Sequence, residues 1–290
     1  MFSVFRNRLE LKGILTTVTA LRISAGRSIE PIGSDLPVIK DTLGSPLIPG
    51  SSFKGALRSR LESFLRGIAP RFADDPANFT SRDKNDEIET LKERYQGNDA
   101  GLTAALVNIT DPVSRLFGTP WLASKFQVRD LTVLSDAWFG QYQERDGVAI
   151  DRDTETAAEG KLYDFQVVPA GTPFEFQAVV ENAEDWELGL LMIGLHQFET
   201  EQIPLGGGRS RGLGVVKLEI EQMRWCDVRD EKDPEKTDPT KLLDYLKKLV
   251  DNDSSAYKDA RDLKSVWAKS LINYLEQKVS ASSASATTPD

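Results

Sequence analysis

The sequence predicts an α+β fold in the order β-α-β-β-α-β, interrupted by insertions. Apolar and polar residues alternate with period two at Leu9–Thr19, at Pro173–Val180 and from Val215 onward, which is the pattern of half-buried strands. Two stretches, Ser51–Arg66 and Trp186–Glu199, repeat apolar residues at helical spacing instead. Between these lie polar, turn-rich segments too long to be simple connections.

Taken in order, Leu9, Leu11, Ile14, Thr16 and Val18 mark a first strand, and residues 21–27 a short strand running into a glycine turn. Residues 28–50 carry four prolines and three glycines and read as an elaborate loop. Ser51 or Ser52 then caps a helix through about Arg66, with Phe53, Ala56, Leu57, Leu61, Phe64 and Leu65 as its apolar positions. Residues 70–112 are polar and acidic, an insertion with one helix near Asp86–Gln96. Pro112–Gly118 reads as a helical turn and Asp130–Trp138 as a strand. Gly147–Gly171 has β-like ends and a polar centre, as expected of a protruding hairpin. Residues 227–239 form a charged linker and 240–278 are helical by periodicity. The last eleven residues, SASSASATTPD, are low-complexity tail.

A chain of 290 residues can bury a sizeable core, and 40% hydrophobic with 28% charged residues is ordinary for a globular protein. No apolar run reaches membrane-spanning length and the N-terminus is too charged for a signal peptide, so a cytoplasmic protein is expected. One cysteine, Cys226, excludes an internal disulfide, and with a single histidine, His196, a zinc site of those ligands is excluded too. His196 lies in an apolar helix without a partner and reads as structural. The formal charge of −9 is uneven: residues 1–66 hold ten Lys/Arg against five Asp/Glu, and residues 67–226 fifteen against twenty-seven. A basic footprint is thus available inside an acidic protein, unless the imbalance is only surface fluctuation.

Two segments carry binding chemistry. In LIPGSSFKGALRSRLE, residues 47–62, the helix start turns N–H groups and the hydroxyls of Ser51 and Ser52 toward one point, where the helix dipole favours an anion. Lys54 and Arg58 are four apart and share a face, suited to one phosphate backbone or merely to solvent. The run Gly206–Val215 packs five glycines and two arginines into ten residues. Glycine permits close backbone approach and arginine offers a planar fork to phosphate, so Gly207, Gly208, Arg209, Ser210 and Arg211 read as a polyanion clamp.

The predicted order is that of ferredoxin-like, RRM-like domains common in RNA binding. Moreover, LIPGSSFKGALRSRLE, VSRLFG, LTVLSDAWF, VVPAGTPFEF and LGGGRSRGLGVVKL occur in the order found in the RAMP superfamily, and over residues 9–222 the chain resembles backbone subunits of type III CRISPR effector complexes. The resemblance implies a ferredoxin-like palm over residues 1–226, with the insertion at about 70–112 and a thumb hairpin at about 147–168 that wedges into a guide–target duplex. Outside it fall a helical extension at 227–279 and a disordered tail at 280–290. The partners implied are CRISPR guide RNA, target RNA, other subunits of the complex, and copies of this or related RAMP subunits. Target-cleaving members carry an aspartate just ahead of a Pro-Val-Ile-Lys/Arg-Asp stretch; here Gly33-Ser34-Asp35-Leu36-Pro37-Val38-Ile39-Lys40-Asp41 puts Asp35 in that place. Its carboxylate would accept the 2′-hydroxyl proton or hold a divalent cation, Mg2+ in the first instance, at the phosphate. A binding subunit without catalysis, a surface aspartate at 35, and a guide-processing endonuclease are the alternatives; Asp41 reads as structural.

Overall fold

The computed structural model describes residues 3–24, 26, 36–150 and 157–285. Its centre is a five-strand antiparallel sheet in the order β3-β7-β1-β8-β9, formed by β1 (Asn7–Thr17), β3 (Phe126–Val128), β7 (Pro173–Glu181), β8 (Val216–Asp227) and β9 (Lys258–Asp259). Strict alternation along β1 sends Leu9, Leu11 and Leu15 to one face, where they are buried, and Arg8, Glu10 and Lys12 to the other. β1 lies between β7 and β8, and its register slips by one residue between Lys12 and Gly13. There a Cβ on residue 13 would meet the Glu219 carbonyl oxygen at 2.2 Å, so only glycine lets the two strands close.

Two helices cover the apolar face. α1 (Gly50–Ile68) follows the loop and the short β2 (Leu47–Ile48), which pairs with β4 (Leu131–Thr132). α5 (Asp185–Glu199) joins β7 to β8. Their contact centres on Phe53, stacked on Phe198 at 4.4 Å and tilted against Phe176 of β7 at 5.1 Å. At Gly194 of α5, Leu57 and Leu61 of α1 fill the space a side chain would need. The start of α5 is pinned by a buried ion pair, Lys125 to Glu187, whose carboxylate also accepts from the Glu184 backbone N–H.

The insertion holds more helix than its composition predicts. α2 (Arg82–Arg94) begins four residues earlier than expected, capped by Ser81, and α3 (Asp99–Asn108), capped by Asn98, was not expected. α4 (Pro112–Phe117) matches the PVSRLFG turn, with Asp111 accepting from the Ser114 N–H. The expected strand at Asp130–Trp138 is a correction. Only Leu131–Thr132 is strand, Val133 makes a single bridge to Phe174, and Ser135–Ala137 turn into a 3-10 helix. The sheet edge is instead β3, just upstream. The hairpin is present and longer at its root than expected, with β5 (Gln143–Ile150) paired to β6 (Ala157–Val167).

The C-terminal segment docks on this body. α7 (Lys264–Ser285) packs along α5, with the Trp267 carbonyl oxygen only 2.1 Å from where a Cβ on Gly189 would sit and Tyr274 stacked on Trp186 at 4.1 Å. Helix continues through Ser285, six residues beyond the last apolar repeat at Val279. α6 (Pro239–Val250) closes one end of the other sheet face, where Tyr245, Val228 and Cys226 form a small cluster against Phe5. Burial there pushes the Cys226 thiol up to about 12, so it is inert at neutral pH. Among the described residues no helix is long and apolar enough to cross a membrane.

Candidate nucleic-acid interface

The two glycine- and arginine-bearing segments come together. Arg209 faces α1 across a groove of about 380 Å³ lined on the helix side by Gly55, Ser59, Arg60 and Ser63. That helix edge is built from a repeat of four: Ser51, Gly55, Ser59, Ser63 and Gly67 are all small and all exposed. A rod-like ligand can therefore approach the α1 backbone closely along its length.

Most loop glycines serve packing. Gly206, at φ +73°, presses on the Arg22 carbonyl oxygen, 2.1 Å from where a Cβ would sit, and Gly214, at φ +87°, presses equally on the Leu205 carbonyl. Gly208 and Gly212, both left-handed, bracket the turn Arg209–Arg211. Only Gly207 and Gly212 would carry a Cβ into open space. The loop is thus a rigid turn clamped to residues 20–23, presenting Arg209, Ser210 and Arg211 outward. Arg209 donates to its own loop at the Gly206 carbonyl (3.1 Å), and Arg211 donates to the Tyr163 hydroxyl at the hairpin root (2.9 Å). A small second core of Ala20, Phe165, Val167 and Leu213 binds loop and hairpin root together.

The helix start departs from expectation. Neither serine caps α1: the cap residue is Pro49, and the first free N–H, on Gly50, is taken by the Asp130 carboxylate at 2.8 Å. Ser51 is exposed and Ser52 half-buried in the first turn. Arg58 does not lie beside a solvent-facing Lys54. Its guanidinium is 16% exposed and bonds the Glu62 carboxylate (2.7 Å), the Ser114 hydroxyl (2.9 Å) and the Gly118 carbonyl (3.0 Å). Lys54 Nζ donates to the Ser124 hydroxyl (2.7 Å) and the Phe126 carbonyl (3.0 Å). Burial first, and the neighbouring Arg58 second, lower the Lys54 ammonium to about 8. Both cations brace α1 against residues 114–126, a role the spacing alone did not reveal.

These segments, in this order and on this sheet, are matched by the family model described as RAMP superfamily over residues 14–217. The chain belongs to the RAMP superfamily. A relative from Methanocaldococcus jannaschii, the CRISPR system Cms endoribonuclease Csm3, is 30% identical over 73% of this chain and 79% of its own length. Proteins of the same name from Mycobacterium tuberculosis (28% identical, 73% of this chain, 86% of their length) and Enterococcus italicus (24%, 75% and 92%) are similar over comparable spans.

Asp35, the expected catalytic residue, lies outside the described residues, as does the hairpin tip at 151–156. The residue after Asp35 is placed: Leu36 bridges Phe165 at the hairpin root, and its carbonyl accepts from the Gln166 N–H at 3.1 Å. Asp41 folds the adjoining turn, accepting from the N–H groups of Leu43 and Ser45, both at 2.9 Å. His196 is on the surface, 62% exposed and 3.1 Å from Glu199, and is not among the residues lining the groove. Among the described residues no three His, Cys, Asp or Glu side chains converge on a metal position.

Proposed function

We propose that this protein is a guide-RNA-binding backbone subunit of a type III CRISPR effector complex that also cleaves complementary target RNA. The observation that carries this is the groove between α1 and the Gly206–Gly214 loop, joined through the Arg211–Tyr163 bond to the hairpin root and through Leu36 to the residue following Asp35. Grip, wedge and cleavage segment share one mini-core in a member of a family whose similar relatives are named as endoribonucleases.

The sheet order β8-β1-β7-β3, with α1 and α5 as crossovers, supports the ferredoxin-like palm, and β5–β6 the thumb. Arg209, Ser210 and Arg211 grip phosphates with the exposed Ser51 edge of α1; Ser52, Gly207 and Gly208 shape the two walls, and Lys54 and Arg58 hold the helix in place. The thumb splays one target nucleotide so that its 2′-hydroxyl lines up with the adjacent phosphorus. The Asp35 carboxylate takes the 2′-hydroxyl proton, the 2′-oxygen–phosphorus bond forms, and the phosphorus–5′-oxygen bond breaks, the leaving oxygen taking a proton from water. Among the described residues no cluster of His, Cys, Asp or Glu stands ready for the divalent cation that the resemblance implies. The working partners are the guide, its target, further subunits of the complex and copies of this chain, in the cytoplasm.

Asp35→Ala in the reconstituted complex is expected to abolish target cutting while leaving assembly on the guide intact. Cutting at the wild-type rate would remove Asp35 from the mechanism.

A further inference from the structure

The sheet face away from α1 and α5 carries a cation cluster that the groove does not use. One register row crosses four strands: Arg129, just past the end of β3, opposes Gln177 of β7, which opposes Lys12 of β1, which opposes Gln222 of β8. Arg224 and Arg8 stand in the next rows. With adjacent strands ~4.8 Å apart, Arg129 and Lys12 start about 10 Å from each other. They look onto a cavity of about 600 Å³ shared with Arg8, Gln177 and Arg224. Glu10 is the one carboxylate in its lining, and it is bonded to Arg8 and Tyr257. Arg129 and Lys12 are both exposed, and neither has an ion-pair partner among the described residues. Glu10 and Glu181 offset Arg8 and Arg224, so in a chain of net charge −9 the local excess of cation rests on Lys12 and Arg129.

We propose that this face binds the phosphodiester backbone of a single RNA strand, continuing the track from the start of α1. Continuity is physical: Gly50, the first residue of α1, sits so close to residue 129 that a Cβ on it would lie 3.0 Å from the Arg129 carbonyl oxygen. The chemistry selects phosphate over the other polyanion class, an acidic protein surface. Protein contacts centre on desolvated Trp, Tyr or Arg anchors and are depleted of Lys. Here the centre of the row is Gln177 and Lys12, and the apolar side chain beside them, Val179, is half-buried. Arginine, lysine and glutamine are the donors that contact phosphate oxygens. The row offers no aromatic platform for bases, so binding is indifferent to sequence and sensitive to salt.

The row is spread over β1, β3, β7 and β8, from residue 12 to residue 222, which is why no local motif announces it. It also places part of the basic N-terminal third: Arg8 and Lys12 lie on this face.

The test is anisotropy titration of a labelled single-stranded oligouridine into the full chain across a series of salt concentrations. Wild type is compared with Lys12→Ala/Arg129→Ala, with Lys12→Arg/Arg129→Lys, and with Arg209→Ala/Arg211→Ala. Loss of two phosphate contacts is expected to weaken binding and to lower the slope of log K against log salt by about 1.4. The charge-keeping pair should retain wild-type affinity and slope. Because the groove is a separate surface, the sheet-face loss should persist in the Arg209/Arg211 background. If Arg209→Ala/Arg211→Ala has no effect while the sheet-face pair does, the guide-grip reading fails and this one stands. Unchanged affinity and slope in folded Lys12→Ala/Arg129→Ala overturns the proposal, as does wild type that fails to bind. A variant that loses self-association on sizing but keeps RNA affinity also overturns it, and assigns the face to a protein contact.

Discussion

Replacing Arg58 by alanine separates a bracing role from an RNA-contact role. In the structure the guanidinium ties three partners, and one of them, Glu62, is itself only 6% exposed. Truncation leaves Glu62 with Arg66 alone, at 3.1 Å, and leaves the buried Ser114 hydroxyl without its donor. It also removes a cation lying 5.2 Å from the Phe79 ring centroid. Breaking a buried, hydrogen-bonded pair on one side costs about 3–5 kcal/mol. At an unfolding entropy of ~2.1 cal/mol/K per residue, this chain loses about 5–8 °C of Tm. The assay is thermal unfolding, read beside RNA titration at several salt concentrations well below Tm. The expected result is a large drop in Tm with an unchanged salt slope. A Tm within a degree of wild type, with a slope lowered by about 0.7, would show that Arg58 contacts phosphate and that the bracing account is wrong.

Three further changes probe the same framework. Lys125→Met strands the Glu187 carboxylate in the core and should cost about 3–5 kcal/mol in urea unfolding, whereas an effect under 1 kcal/mol would mean that water reaches the pair. Gly189→Ala should pry α7 from α5, seen as faster amide exchange in residues 264–279; unchanged protection would mean the helix docks without that close approach. Lys54 titrates near 8 when folded and near 10.5 when free, so the unfolded chain holds an extra proton between those values. Its unfavourable contribution is full below pH 8 and is relieved as pH rises toward 10.5. Wild type should therefore gain stability relative to Lys54→Met from pH 7 to pH 10, and a constant difference would refute the shift.

Periodicity made α1, α5, β1 and β7 legible because each buries one continuous face of the main core. The hairpin was legible from its polar centre and β-like ends. Asp130–Trp138 misled because Leu131 is fully buried without belonging to a long ladder: burial produced the alternation and β2 offered only two residues to pair with. α3 escaped because its apolar residues are not gathered on one side, and β3 because three residues carry no period. At the candidate site, residue types were legible and their partners were not. Asp130, eighty positions away, takes the Gly50 N–H that a serine cap had been expected to direct outward, and residues 114–126 claim Lys54 and Arg58. Such contacts depend on tertiary placement, which spacing along the chain does not encode.

The central claim is tested most directly by mapping cuts in a target RNA complementary to the guide, using the reconstituted complex with wild-type chain and with Asp35→Asn. The account predicts cuts repeating at regular intervals along the guide–target duplex with wild type and their loss with the variant. Cuts at one fixed position, or an identical ladder from both proteins, would contradict it.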